Sequence, residues 1–485
     1  MIKWTHATFH ALTDDAQVYH TLYTEQGLIV GFDDDIDESL VSQTIDLKGT
    51  HVYPGFVDSH LHLLGYGQQL SRPSLVGTKS KEEILKIIED HPQHTVFEGY
   101  QGHIMIKDDL DCYQDRPIVL RHVDYHAATV NQYVLNVLGL SSADGILKEA
   151  DANQAMVQFS RHSKAMLSMM FKRALEQLYR YGVTGGHSDD LAYFNGFEET
   201  LDAMNDVLDK HPFRAHLLMH HHILDDYLSS GRPWLDQHAY LQLGAIKIFY
   251  DGTFNSRTAL VFKPYVDHTY GYRVYDKEKL THLIKKIRKH HLPIAVHVIG
   301  DQALSELLDL IETYPPPQGL HDRMIHASLW QASDLRRATQ LPLIFDIQPQ
   351  FVTSDIPKIL SQFASEPAYL YAWKSMHNHQ LVICGGSDAP VEIPNPILGM
   401  YDAMYRETSA GTFHEAECLT RFEALKLYTR YANIPTYKMN RGALKVGFIA
   451  DFTVMKEDIL TVEKQRFKDN QVCMTVINEH IVYQG

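Results

Sequence analysis

Cysteine is scarce and scattered: Cys112, Cys384, Cys418 and Cys473 are the four, and no two form a Cys-x-x-Cys pair. That excludes a thiolate zinc site and a disulfide framework, and a reducing cytoplasm is the expected compartment. No run approaches about 18 consecutive apolar residues, the length a membrane-spanning helix needs. The opening MIKWTHATFHALTDD lacks the basic start and unbroken apolar stretch of a secretory signal. Positive charge is also short. The formal net charge of −16 argues against nucleic acid, which binds a basic face that displaces counterions. It equally disfavours an acidic membrane surface, and a small-molecule substrate is the partner to expect. Internal repeats, low-complexity tracts and flexible linkers are absent. One residue type is abundant. Thirty histidines stand in 485 residues, and histidine is the commonest metal ligand.

The chain length suits a large barrel with a small accessory domain. The first fifty and last fifty residues read as short strands with turns, such as Gly27–Phe32 near one end and Ala450–Met455 near the other. Between them strands alternate with amphipathic helices, which predicts a parallel sheet. Apolar strands are expected to begin near Phe56, Val183, Phe213, Ala245, Ile294, Met324, Leu343 and Leu381. Leu280, Leu283, Ile284 and Ile287 share one helical face after Asp276. Asp301, and Ser333 or Asp334, are expected helix N-caps. Eight strands with crossover helices suit a closed (β/α)8 barrel, although a doubly wound open sheet has a similar pattern. The interval of about 63–181 is too long for one loop and helix. It reads as an insertion after the first barrel strand, expected over the C-terminal mouth where barrel active sites sit.

The chemistry starts at Asp58-Ser59-His60-Leu61-His62, after the apolar Phe56-Val57. Residues two apart on a strand face the same way, so His60 and His62 present two imidazoles to one ion. Candidate ligands recur at later strand ends: His297 after Ile294-Ala295-Val296, His326 after Met324-Ile325, and Asp388 after Leu381–Ser387. Lys247 lies inside an apolar strand, where a lone ammonium is costly. Two explanations stand: its head reaches a carboxylate such as Asp251, or its amine has reacted with carbon dioxide to give an anionic carbamate ligand. His220-His221-His222 follows the third strand. Adjacent side chains diverge on a strand, so all three are not expected on one metal. Gln348, beyond Phe345-Asp346-Ile347, is placed to donate a hydrogen bond at the seventh strand end or to serve structure.

The order His-x-His, Lys, His, His, Asp, each at a strand end, resembles the amidohydrolase superfamily. More narrowly it is similar to the amidohydrolase 3 group of metal-dependent hydrolases, which includes N-substituted formamide deformylases. Pro54–His62, Arg116–Leu120 with His126 and Asn131 beyond, Lys247–Ala259, His297–Ala303 and Gly442–Asp451 carry the likeness over nearly the whole chain. The resemblance implies a (β/α)8 TIM barrel over residues 55–440, with residues 1–54 and 441–485 joined in a composite β-sandwich. It implies that His60, His62 and Asp388 bind one divalent ion and His297 and His326 a second, zinc foremost, bridged by Lys247 as its carbamate. Asp388 would be the general base and acid. His126, Asn131 and Gln348 are the candidate substrate contacts, and a homodimer is common in such barrels. The segments Gly99–His103 and Gly185-Gly186-His187 depart from the group's usual residues, and both are placed at the substrate pocket on this reading. The implied reaction is hydrolysis of an amide, formamide or cyclic amide. A deaminase, esterase or lactonase on the same scaffold, and a binding protein without catalysis, are the alternatives.

Overall fold

The computed structural model describes residues 1–13, 17–122, 127–159, 162–235, 237–238 and 240–485. Eight apolar runs become strands: β1 Phe56–Asp58, β2 Val183–Ser188, β3 Arg214–His220, β4 Leu241–Phe249, β5 Ile294–Val298, β6 Asp322–His326, β7 Leu343–Ile347 and β8 Val382–Gly385. Each pairs in parallel with the next in that order. The last gap is closed by single bonds: Ser59 N–H donates to the Gly385 carbonyl at 2.9 Å, and Asp388 N–H to the His60 carbonyl at 2.7 Å. The sheet is therefore a nearly closed barrel and not an open doubly wound sheet. Its strands are buried along nearly their whole length. This is why they read as unbroken apolar runs without alternation.

β4 starts at Leu241, earlier than Ala245, because the polar Gln242 belongs inside. Its side chain meets His216 Nδ1 at 2.8 Å and donates to the Thr436 carbonyl at 3.0 Å. Arg323 of β6 spans the interior as well, pairing with both carboxylate oxygens of Asp346 at 2.8 and 2.9 Å and donating to the Ser59 carbonyl at 2.8 Å. Between β4 and β5, Asp276 caps the helix Lys277–Lys289, which buries Leu280, Ile284 and Ile287. Two expected caps shift by a position or more. Gly300 is the cap before Asp301, whose carboxylate accepts the Phe262 N–H at 3.1 Å, and Gln331 precedes the helix Ala332–Ala338.

The two ends of the chain share one sheet. Its order is His480–Gln484, Val472–Ile477, Phe452–Met455, Gln43–Pro54, Ile2–His10, Leu22–Glu25 and Leu28–Phe32, with Val18–Tyr19 on the flank. The junction is antiparallel, with Phe452 opposite Pro54 and Met455 opposite His51. Trp4, Phe9, Leu22, Val52, Phe452 and Val476 form its core, and the Trp4 indole N–H reaches Thr24 Oγ1 at 3.0 Å. The strand Gln43–Pro54 runs on into β1. That sheet thus leads the chain directly to His60 and His62.

By contact density the chain divides into two units, residues 1–63, 174–192 and 205–485, and residues 64–173 and 193–204. The second unit carries its own sheet, ordered Ile146–Lys148, Ala127–Val130, Val119–His122 and Val96–Tyr100. Leu75, Ile84, Ile88, Phe97 and Leu120 pack on one side of it. Among the described residues no helix is long and apolar enough to cross a membrane.

Candidate metal centre

The C-terminal ends of β1, β4, β5, β6 and β8 bring His60, His62, Lys247, His297, His326 and Asp388 into one group. Asp388 Oδ1 stands 3.3 Å from His60 Nε2 and 3.4 Å from His62 Nε2. Charged hydrogen bonds of this kind run to about 2.7–2.9 Å. Two ligands sharing one tetrahedral ion at about 2.0–2.1 Å stand roughly 3.3 Å apart. The observed spacing matches the second, and these three side chains form a group whose donor atoms all lie within 4.8 Å of one another. The donor chemistry, two imidazoles and a carboxylate, fits a divalent transition ion.

The group is held by the residues around it. Asp58 accepts from Ser387 Oγ at 2.6 Å and from the N–H groups of Ser387 and His60, each at 3.1 Å. It ties the end of β1 to the end of β8. Gly386 lies in that seam, where a Cβ would stand 2.6 Å from the His60 nitrogen. His326 and Asp388 both sit at positive φ, 73° and 56°. Left-handed backbone is uncommon outside glycine and concentrates at functional sites.

Three of the four imidazoles are oriented by a second nitrogen, whereas His60 Nδ1 is buried without a hydrogen-bond partner. His62 Nδ1 meets Asp189 Oδ1 at 2.8 Å. His326 Nδ1 meets Gln348 Oε1 at 2.7 Å, and the same amide donates to the Asp346 carbonyl at 3.2 Å. His297 Nε2 meets the Gly252 carbonyl at 3.1 Å, so that nitrogen carries the proton and Nδ1 is left as the donor atom. Metal-binding histidines characteristically have such outer partners. The His297 and His326 rings lie 4.6 Å apart, and His326 lies 5.7 Å from His60.

Lys247 is sealed in. Its Nζ stands 3.2 Å from Asp189 Oδ2 and 3.5 Å from His60 Nε2. The carboxylate it reaches is therefore Asp189 and not Asp251. Asp251 instead accepts the N–H groups of Leu260, Gly300 and Ile299 at 2.8–3.0 Å. Burial pushes the Asp251 carboxyl up to about 7.

Burial lowers His60, lowers His297 to about 4, and holds His326 well below the usual range; the Lys247 charge adds to it in His60 and His297. Burial thus favours the neutral ring, the form that binds metal. His62 is the exception. Burial opposes its proton, but Asp189 and Asp388 outweigh burial and raise it well above 6.5. Burial pushes up Asp189 and Asp388, yet Lys247 and His62 keep the first, and His60 and His62 the second, well below the ordinary carboxylate range.

The other expected contacts fare differently. Asn131 accepts from the N–H groups of Ile118 and Val134 at 3.2 and 3.3 Å and donates to the carbonyls of Tyr113 and Arg116 at 2.8 and 2.9 Å. It caps a helix in the second unit and is fully occupied there. Gln348 supports His326. His126 lies outside the described residues. Tyr100, from the segment Gly99–His103, is core in the second unit, its hydroxyl donating to the Met105 carbonyl at 2.9 Å. His187 is buried in the barrel 4.7 Å from the His216 ring. Asp189 is the residue that sequence reasoning missed. It follows the end of β2 just as Asp388 follows β8, so the same strand-end criterion reaches it.

Residues 43–483 match the profile of a family described as the amidohydrolase family. The putative amidohydrolase YtcJ of Bacillus subtilis is 33% identical to the chain over 99% of each. The N-substituted formamide deformylase of Arthrobacter pascens is 23% identical, covering 91% of this chain and 90% of its own. An uncharacterized metal-dependent hydrolase from Pyrococcus horikoshii superposes with a TM-score of 0.85 at 26% identity, over 96% of this chain and 99% of that one. Zinc-complexed atrazine chlorohydrolase TrzN from Arthrobacter aurescens superposes at 0.63 with 11% identity, over 100% and 95% of the two chains, a likeness of fold alone.

Proposed function

The chain belongs to the amidohydrolase family, and from that premise we propose that it is a metal-dependent hydrolase cleaving an amide-like C–N bond of a small molecule. The observation that carries the reading is the placement of Asp388 Oδ1 at 3.3 and 3.4 Å from two imidazole nitrogens. That spacing is longer than the usual charged hydrogen bond and close to that of two ligands on one ion. His60, His62 and Asp388 would hold one divalent ion, zinc foremost, and His297 and His326 a second. Lys247, as its carbamate, would join the two. An ion there supplies acidified water and a polarised carbonyl.

The rest falls to the chain's own side chains. Asp388 takes a proton from the attacking water and returns it to the leaving nitrogen. Its left-handed backbone fixes that carboxylate in the seam between β8 and β1. Asp189 and Gln348 fix the tautomer and plane of His62 and His326. The contact of Lys247 with Asp189 belongs to the amine before carboxylation. A carbamate resonance on Lys247 after incubation with 13C-bicarbonate and metal would support the bridge, and its absence would leave Lys247 as Asp189's ion-pair partner. Amides, N-substituted formamides and cyclic amides are the substrates to expect, the formamides because of the deformylase among the relatives. A panel of these against esters, lactones and aminopurines tests the bond. Asp388→Asn tests the mechanism: kcat is expected to fall about 10²–10⁴-fold, the range for a lost acid–base group. Unchanged turnover would sink it.

A further inference from the structure

His220, His221 and His222 are not among the candidate ligands described above, although His220 pairs with Lys247 across β3 and β4. His220 ends β3, and His221–Ile223 form one 3-10 turn. An extended strand would send neighbouring side chains to opposite faces. The turn cancels that alternation and gathers the rings, against the expectation that they diverge. Their centroids lie 4.5, 4.4 and 4.2 Å apart, and one nitrogen of each lies within 4.8 Å of the others. Tyr275 adds an oxygen: its hydroxyl stands 2.9 Å from His221 Nε2 and 3.4 Å from His222 Nε2. The Lys247 carbonyl lies 3.4 Å from His221 Nδ1. A carbonyl only accepts, so His221 carries its proton there and turns the bare Nε2 toward Tyr275. Exposure grades from the buried His220 to the exposed His222, which gives solvent a way in.

We propose that His220, His221 and His222, with the Tyr275 hydroxyl, form a separate binding site for a late first-row divalent metal ion. Imidazoles select zinc, copper, nickel or cobalt over magnesium and calcium, which prefer oxygen. Imidazole ligands on a tetrahedral ion stand roughly 3.3 Å apart. The donor nitrogens therefore need to converge by at most about 1.5 Å from their 4.8 Å limit, which the rings meet by turning about their side-chain bonds; His220 Nδ1 accepts the His222 N–H at 3.3 Å. The Tyr275–His222 separation is already near ligand spacing, while the Tyr275–His221 separation is that of a hydrogen bond which an ion would replace. The histidine group His10, His51 and Asp458 in the end sheet is a weaker candidate. Asp458 Oδ1 is engaged there by the Tyr53 hydroxyl at 2.6 Å and the Leu460 N–H at 2.8 Å.

The test uses the full chain, stripped of metal, loaded with zinc or cobalt(II), and desalted. Elemental analysis and the visible absorption of cobalt are then compared for the wild type, His222→Gln, His221→Gln/His222→Gln, Tyr275→Phe and Asp388→Asn. The double variant is expected to hold one ion fewer than the wild type. Tyr275→Phe and His222→Gln, at an exposed side chain, are expected to weaken one cobalt-binding phase at least tenfold. Asp388→Asn is expected to keep that phase while losing binding at the barrel centre, so the two sites fail separately. Equal metal content and identical cobalt titrations in the wild type and all three triplet or tyrosine variants would overturn the proposal, and the rings would then be a stack packed on Tyr275.

Discussion

At the scale of single residues, Asp189 joins two members of the centre. It touches His62 at 2.8 Å and Lys247 at 3.2 Å. Asp189→Asn keeps the shape and removes the charge, and outer partners of metal ligands typically contribute 10–100-fold in affinity. A loss of that size in metal affinity is expected, read by competition with a chromophoric chelator; an unchanged constant would remove Asp189 from the account. The same residue sets a pH dependence. His62 is raised well above 6.5 in the metal-free chain, so an ion must displace its proton. Metal affinity should therefore fall as pH falls through and below neutrality, with proton release on binding seen by calorimetry in buffers of different ionisation enthalpy. No release near pH 7 would contradict the His62 assignment. His60, His62, His297, His326 and Asp388 were legible because each follows an apolar strand. The partner of Lys247 was not. Asp251 is close in sequence, but the loop after β4 turns its carboxylate to three backbone N–H groups, a choice made by residues near 260 and 300.

At the scale of elements, the seam between β1 and β8 is the weak closure of the barrel, made of single bonds and the Asp58–Ser387 clamp. Gly386→Ala would place a methyl 2.6 Å from the His60 nitrogen. Overpacking of that kind costs about 1–3 kcal/mol. A lower melting temperature and a lower metal content are expected together, because the same seam carries Asp388 and His60. A variant that lost neither would show that the seam yields without moving the ligands. The eight strands are readable from hydrophobic runs, and the candidate ligands follow the C-terminal ends of several of them. The start of β4 was misread because Gln242 looks like a loop residue until His216 and the Thr436 carbonyl are seen to satisfy it. The histidine triplet was misread for the converse reason. Its rings meet only because a strand becomes a 3-10 turn at that point, and periodicity does not mark such a change.

At the scale of the whole molecule, eight of the thirty histidines are buried among the described residues, and others are half-buried. Burial lowers His10 and His162 to about 4 and His216 to about 3. An unfolded histidine titrates near 6.5. Between those values the unfolded chain binds protons that the folded chain refuses, so stability falls as pH falls. Each such group contributes up to about 1.4 kcal/mol per pH unit. The buried carboxyls of Asp58 and Asp251, raised to about 7, work in the opposite sense over the same window, so the histidine contribution is read as a difference: the melting temperature of metal-stripped His216→Gln should fall less steeply than that of the wild type from about pH 6.5 to 4. Equal slopes in the two proteins would contradict the buried neutral state of His216. The alternation of strands and helices made the barrel readable at this scale. That the ends share one sheet follows from long-range pairing of Gln43–Pro54 with Phe452–Met455, which local patterns suggest but cannot register.

The central claim is that His60, His62 and Asp388 share an ion, and metal content measures it most directly. Elemental analysis of protein purified without chelator, beside His60→Gln, is expected to show bound zinc or another late divalent ion that drops by at least one per chain in the variant. Equal content in the two proteins, or none in the wild type even after incubation with zinc or manganese and bicarbonate, would contradict it.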